Sequence, residues 1–178
     1  MSTIDVVGWF LPGVAFSLVL SVIGAPSVAR ALGTGRLVAG LLMLSFGVIL
    51  SATVTPIHGT LDTVGLAGRS CDFSRIGLVP LADLLELSDA SLNVVLFVPL
   101  GAALGMIPNP RRKLTLILVS VALPFAIEAL QLSAPILSRG CESADVIDNL
   151  TGLALGLAGA TVVRWLAQPS GSGPATRR

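Results

Sequence analysis

The stretch LVAGLLMLSFGVILSATVTPI, Leu37 to Ile57, runs for 21 residues without an Asp, Glu, Lys or Arg. A helix rising 1.5 Å per residue needs about 20 residues to cross roughly 30 Å of hydrocarbon, so this stretch can span a bilayer. Three others read the same way: Val6 to Ala29, Ala90 to Pro110, and Leu114 to about Ser133, the last interrupted only by Glu128. A fifth, from about Asp145 to Leu166, keeps its charges at its two ends and is rich in Leu, Val, Ala and Gly. The expected fold is therefore all-α, a polytopic transmembrane bundle of about five spans.

Composition supports this reading. Mean hydropathy is +0.90, and only 12% of the 178 residues are charged, against about a quarter in soluble domains. A soluble domain of this size could not bury so much apolar surface. The basic residues fall in short groups without interleaved aromatics, which argues against nucleic-acid binding. They report topology instead, because Lys and Arg accumulate on the cytoplasmic side. Arg30 and Arg36, then Arg111, Arg112 and Lys113, then Arg164, Arg177 and Arg178 all fall on one side of a five-span chain. Arg69, Arg75 and Arg139 remain for the other, so the amino terminus is expected outside and the carboxyl terminus in the cytoplasm. Trp9 and Trp165 then sit near opposite interfaces.

Ala29-Arg30-Ala31 resembles a signal-peptide cleavage site. The run before it is too long and lacks a basic start, so it reads as a span. His58 to Asp89 is too charged to cross and is expected as an outer loop, with a short interfacial helix from Pro80 carrying Leu81, Leu84, Leu85 and Ser88 opposite Asp83, Glu86 and Asp89. Residues 1–167 read as one transmembrane domain, and 168–178, rich in Pro, Gly and Ser, as a disordered cytoplasmic tail.

Topology places Cys71 and Cys141 in the two outer loops, where disulfides persist, so a bridge between them is expected; two unpaired thiols are the alternative. His58 is the one histidine in the chain. It reads as a solvated interfacial residue, and no metal site or cofactor is expected.

Ionisable groups within spans are costly and mark candidate sites. Counted from Leu114, Glu128 lies about 21 Å up the core, in its outer third, and Gln131 shares its helical face. Span five opens with Asp145, Asp148 and Asn149 on one face, continued inward by Gly152, Gly156 and Ala160. Span three carries Asn93, then Phe97, Gly101 and Gly105 at steps of four. Glycines at this spacing let helices approach closely, so the two stripes should face other helices. Asn93, Glu128, Gln131, Asp145, Asp148 and Asn149 thus belong at similar depth near the outer face, with Arg139 as the cation expected among them. This cluster reads as a ligand-binding site; the alternative is polar packing between helices that touches no ligand.

At these residues the sequence resembles the VanZ-like family. The resemblance rests on Thr53-Val-Thr-Pro56, Asn93-Val-Val-Leu-Phe97-Val-Pro99-Leu-Gly101, Glu128-Ala-Leu-Gln131, Arg139, and Asp145-Val-Ile-Asp-Asn149-Leu-Thr-Gly152, and is strongest over 53–165. Relatives often carry Asn-Thr-x-Gly and two adjacent acids where this chain has Asn149-Leu-Thr-Gly152 and separated Asp145 and Asp148. The resemblance implies a multi-pass protein of the bacterial cytoplasmic membrane whose founding relative lowers susceptibility to teicoplanin, with no established reaction.

Three functions fit. The first is a non-enzymatic envelope protein binding a lipid-linked cell-wall precursor or a glycopeptide at its outer face. The second is a membrane enzyme acting on such a lipid with Glu128 or Asp145 as acid/base, though no Ser/His/Asp set or nucleotide loop supports it. The third is a small proton-coupled transporter, for which no inverted repeat is evident. Binding ranks first; the expected partners are the bilayer and that ligand, with no nucleic acid.

Overall fold

The computed structural model describes residues 10–54, 70–80, 82–134, 137 and 140–167. Helix α1 spans Phe10–Leu32, α2 Arg36–Thr53, α3 Asp89–Gly105, α4 Pro110–Ser133 and α5 Ser143–Leu166. Four of them, α1, α2, α4 and α5, are long and apolar enough to cross a membrane. Helix α3, with 17 residues, is about 26 Å long, somewhat short of a full hydrocarbon core. The chain is a multi-pass membrane protein.

Burial runs opposite to that of a soluble domain. Phe16, Val22, Ile23, Leu118 and Phe125 stand exposed around the outside, while Ser17, Ser21, Ser45, Glu128, Gln131, Asp148 and Asn149 are buried. In lipid the backbone groups must find partners within the protein, and a hydroxyl is costly to bury without one. Several helical hydroxyls are satisfied by donating back one turn, Ser45 Oγ to Leu41 O at 2.7 Å and Thr53 Oγ1 to Ile49 O at 2.8 Å, whereas Ser120 Oγ in α4 is buried with no partner among the described residues. Ser21 Oγ instead crosses from α1 to Gly40 O of α2 at 2.7 Å.

Helices α1 and α2 form an antiparallel pair joined by a tight turn at Gly33, whose φ of 66° is the left-handed conformation that glycine adopts without strain. Thr34 N–H closes the turn on Ala29 O at 3.0 Å. Helix α1 continues unbroken through Ala29-Arg30-Ala31. The central layer is α3 against α5, running parallel. Their contact is made by the two glycine stripes: Gly152 lies against Val94 O, Gly156 against Val98 O, and Gly101 against Leu153 O, each so close that a Cβ would strike backbone. Phe97, Leu100 and Leu104 of α3 fill the core with Leu42 and Ile49 of α2, Ile127 of α4 and Leu153 of α5. Lipid tails are as apolar as these side chains, so close packing rather than expulsion of water holds this core together.

Several expected boundaries move. Span three was expected to reach Pro110 but its helix ends at Gly105. Pro108 has no N–H to continue it and biases Ile107 away from helical geometry. Asn109 then caps α4, its Oδ1 accepting from Arg111 N and Arg112 N at 3.1 Å each, with Pro110 in the first turn. The interfacial helix expected from Pro80 is only a 3-10 turn, Asp83–Leu85. Ser88 and Ser91 form a reciprocal capping box at the start of α3, and Ser91 Oγ also donates to Glu86 O at 2.6 Å, so the chain is committed to the next helix before a further turn can form. Asp62, Arg69, His58 and Trp9 and the tail 168–178 lie outside the described residues.

The two ends of the bundle differ. One gathers the C-termini of α2 and α4 and the N-termini of α3 and α5, and carries Glu128, Glu142, Asp145 and Asp148. At the other, Lys113 Nζ and Arg164 Nη1 both donate to Gly105 O, at 3.3 Å and 3.0 Å, placing two cations on the negative end of the α3 dipole. These are called the acidic and the basic end below.

Candidate functional site

The acidic end is organised by a strap of loop, residues 70–80, laid across the start of α5. Cys71 and Cys141 form a disulfide, separated by 70 residues in sequence. Beside it Asp72 N–H donates to Cys141 O at 2.8 Å and Ser143 N–H donates to Asp72 O at 2.9 Å, a parallel bridge one step long. Ser143 Oγ then donates to Arg75 O at 2.9 Å. The crosslink contributes about 2 to 4 kcal/mol in the usual range for such loops, less where packed helices already restrain them.

This register delivers Arg75 to Asp148. Nη1 donates to Asp148 Oδ1 at 3.1 Å and Nη2 is paired with Oδ2 in a bidentate arrangement. Asp148 is fully buried, and a buried carboxylate needs such a partner. The hydrogen bond to Asp148 pushes the Arg75 guanidinium above its usual pKa; partial burial opposes this, and the charges of Asp148, Asp145 and Glu142 add to it. Arg139 is the cation expected from the sequence. Arg139 lies outside the described residues, and the cation on Asp148 is Arg75. The missed signal was available: a bridge from Cys71 to Cys141 sets Arg75, four residues past one cysteine, close to acids four and seven past the other.

The remaining candidates fall at the same end. Asn93 Nδ2 donates to Asp145 Oδ1 at 2.7 Å, joining α3 to α5. Glu128, 5% exposed, accepts at Oε2 from Glu142 N–H at 2.8 Å, tying α4 to the entry of α5. Gln131 Nε2 donates to Thr53 O at 3.2 Å, which brings the last turn of α2 into the cluster. Gln131 Oε1 and Asn149 Oδ1 are buried and have no hydrogen-bond partner among the described residues. Counted along their helices, all six side chains lie within about 9 Å of the helix ends. Four elements therefore converge on one polar layer beneath a crosslinked strap. Among the described residues, no three His, Cys, Asp or Glu side chains converge as a metal ion would require.

A second feature is apolar and lies toward the basic end, a cavity of about 410 Å³ between α2, α3 and α5 lined by Leu41, Ala102, Met106, Leu155, Gly159 and Val163 among others.

Compared with known proteins, residues 37–164 match a family model described as VanZ/LLP1. The match takes in α2 through α5, with the strap and the whole polar layer. No curated protein and no solved structure matches the chain.

Proposed function

This chain belongs to the VanZ/LLP1 family, and on that premise we propose that its acidic end faces out of the bacterial cytoplasmic membrane and binds a lipid-linked cell-wall component or a glycopeptide, so altering susceptibility to teicoplanin-type antibiotics. Family membership links the chain to glycopeptide resistance. The observation that carries the finer reading is the polar layer itself. Glu128, Gln131, Asp148 and Asn149 are buried at one end of a helix bundle in which most other buried side chains are apolar or small hydroxyls. Polar contacts between membrane helices average only about 0.6 kcal/mol, so packing alone is a weak reason to gather so many.

Orientation is checked by reporter fusions. A reporter active only in the cytoplasm should work after Arg112 or Arg178, and one active only outside should work within His58 to Asp89. Cytoplasmic activity in that loop would reverse the orientation and remove the outer site.

Function is checked by complementation of a deletion strain, scored by teicoplanin susceptibility and envelope lipid content. Glu128→Gln keeps the shape but removes the charge, whereas Asn149→Leu removes the capacity to hydrogen-bond a ligand at similar size. Both are expected to accumulate normally and fail to complement, while Arg111→Gln at the basic end complements. Loss of abundance in both, with function regained on overexpression, would mean that the layer serves packing only.

A further inference from the structure

The polar layer has a sign, and the sign selects a ligand. The segments joining the helices at this end, with the helix ends themselves, carry nine carboxylates between Asp62 and Asp148 against Arg69, Arg75 and Arg139. Of the three arginines, Arg75 is already committed to Asp148. Excess acid on a surface only attracts counter-ions, and by itself it defines no site.

The second observation lies inside. Gln131, 6% exposed, and Asn149, 2% exposed, each bury an amide oxygen that has no partner among the described residues. The Gln131 amide is oriented by chemistry: Thr53 O can only accept, so the group facing it at 3.2 Å must be the NH₂, and the unpartnered atom is therefore an acceptor. Gln131 shares the face of α4 that carries Glu128. Asn149 shares the face of α5 that carries Asp145, and it follows Asp148. At Gln131, and at Asn149 as its amide is placed, the unmet capacity is for donors, set among carboxylates.

An ammonium fits that inventory. It brings three N–H donors and a positive charge and no acceptor, so it can satisfy neutral amide oxygens while offsetting the acid excess. A phosphate brings acceptors to acceptors and negative charge to negative charge. A neutral hydroxyl can donate once without relieving the charge. Arg75 shows the same logic within the chain, a cation carried on a loop into a buried carboxylate of this layer.

We propose that the acidic-end site recognises a ligand through a primary ammonium group, with Gln131 Oε1 and Asn149 Oδ1 among its acceptors, in preference to an anionic phosphate headgroup. The inference rests on the reading of this end as a binding site and names the chemistry it takes. The amine could belong to a membrane-held headgroup or to a water-soluble molecule.

The test uses the full chain in phosphatidylcholine nanodiscs, with empty discs as reference, titrated with dodecylammonium, dodecyl phosphate and dodecanol. Dodecylammonium should bind about tenfold or more tightly than either of the others, the scale of one or two charge-assisted hydrogen bonds. Gln131→Leu and Asn149→Leu should each lose most of that preference while retaining a Cys71–Cys141 bridge closed to thiol reagents. Glu86→Gln, at an exposed acid, should keep it. Butylammonium separates the sources: comparable binding points to a soluble amine, and binding only with the long chain to a headgroup. Preference for dodecyl phosphate with the same dependence on Gln131 and Asn149 would overturn the amine while leaving a binding site in place. An ammonium preference unchanged in both amide variants would reduce it to surface attraction and overturn it. So would binding no greater than that of empty discs, and complementation by Glu128→Gln and Asn149→Leu would then decide separately whether any site exists.

Discussion

Gly152→Leu is expected to abolish accumulation of the folded protein. The atom it would add first, Cβ, falls on Val94 O of α3, with Val94 C and Cα directly behind. Backbone in the middle of a helix cannot rotate away, so α3 and α5 must separate. Overpacking of this kind costs about 1 to 3 kcal/mol where neighbouring side chains can adjust, and more where only backbone faces the intrusion. Separation would also pull Asn93 from Asp145, removing a 2.7 Å bond across the same interface. Gly156→Leu should behave alike, because its Cβ would strike Val98 O and Ala102 N. The control lies on the same helix: nothing is within 4 Å of a Cβ at Gly159, and Gly159→Ala should accumulate as the parent does. Abundance in membranes and thermal aggregation in mild detergent read both. A Gly152→Leu protein as abundant and as heat-resistant as the parent would show that α3 and α5 are not in the contact described.

Arg75→Ala should be the second most damaging change, although Arg75 lies on a loop. It removes the guanidinium and leaves the Asp148 carboxylate buried. Breaking a buried pair from one side costs about 3 to 5 kcal/mol; the Arg75 side chain is 34% exposed, so the lower end of that range or somewhat less is expected after solvent screening. Asp148→Asn in the same chain should restore much of the loss, because a neutral amide tolerates burial better than an unpaired charge. The double variant should therefore be more stable than Arg75→Ala alone, measured as the midpoint of denaturant unfolding in detergent. Equal stability of the parent and Arg75→Ala would place the pair among ordinary surface contacts.

Much of the architecture was legible because a bilayer imposes simple rules. Uncharged runs located the helices to within a few residues at the ends that can be compared, and four-residue glycine spacing marked the faces of α3 and α5 that turn toward other helices, without showing that the two meet each other. The assignment of Cys71 and Cys141 to one side anticipated the bridge. The errors were local. Reading apolarity alone carried span three through Met106 and Ile107 to Pro110, although Pro108 forbids that continuation. Helical spacing of leucines suggested a helix at Pro80, but Leu85 and Leu87 are 86% and 95% exposed, and the capping of α3 by Ser88 took the available length. The candidate site was half legible. Depth and phase grouped Asn93, Glu128, Gln131, Asp145, Asp148 and Asn149, and the structure brings them to one end. Their partners were not legible, since Thr53 O and Glu142 N–H are backbone groups with no side-chain signature. Arg75 became a partner only through a crosslink between residues far apart in the chain.

The parallel contact between α3 and α5 bears on how the protein is made. A ribosome delivers α3 well before α5, and α3 is the short helix, with Asn93 one turn inside it. Until α5 emerges, its glycine grooves have no backbone to receive and Asn93 has no Asp145. The strap waits as well, because Cys141 and Asp148 are both synthesised after α4. While α4 is threaded, helix α3 therefore has α2 to pack against but lacks its principal partner. Helix α5 then completes the glycine interface, the disulfide and the ion pair together, so that three separate links to earlier parts of the chain all wait on the synthesis of one segment.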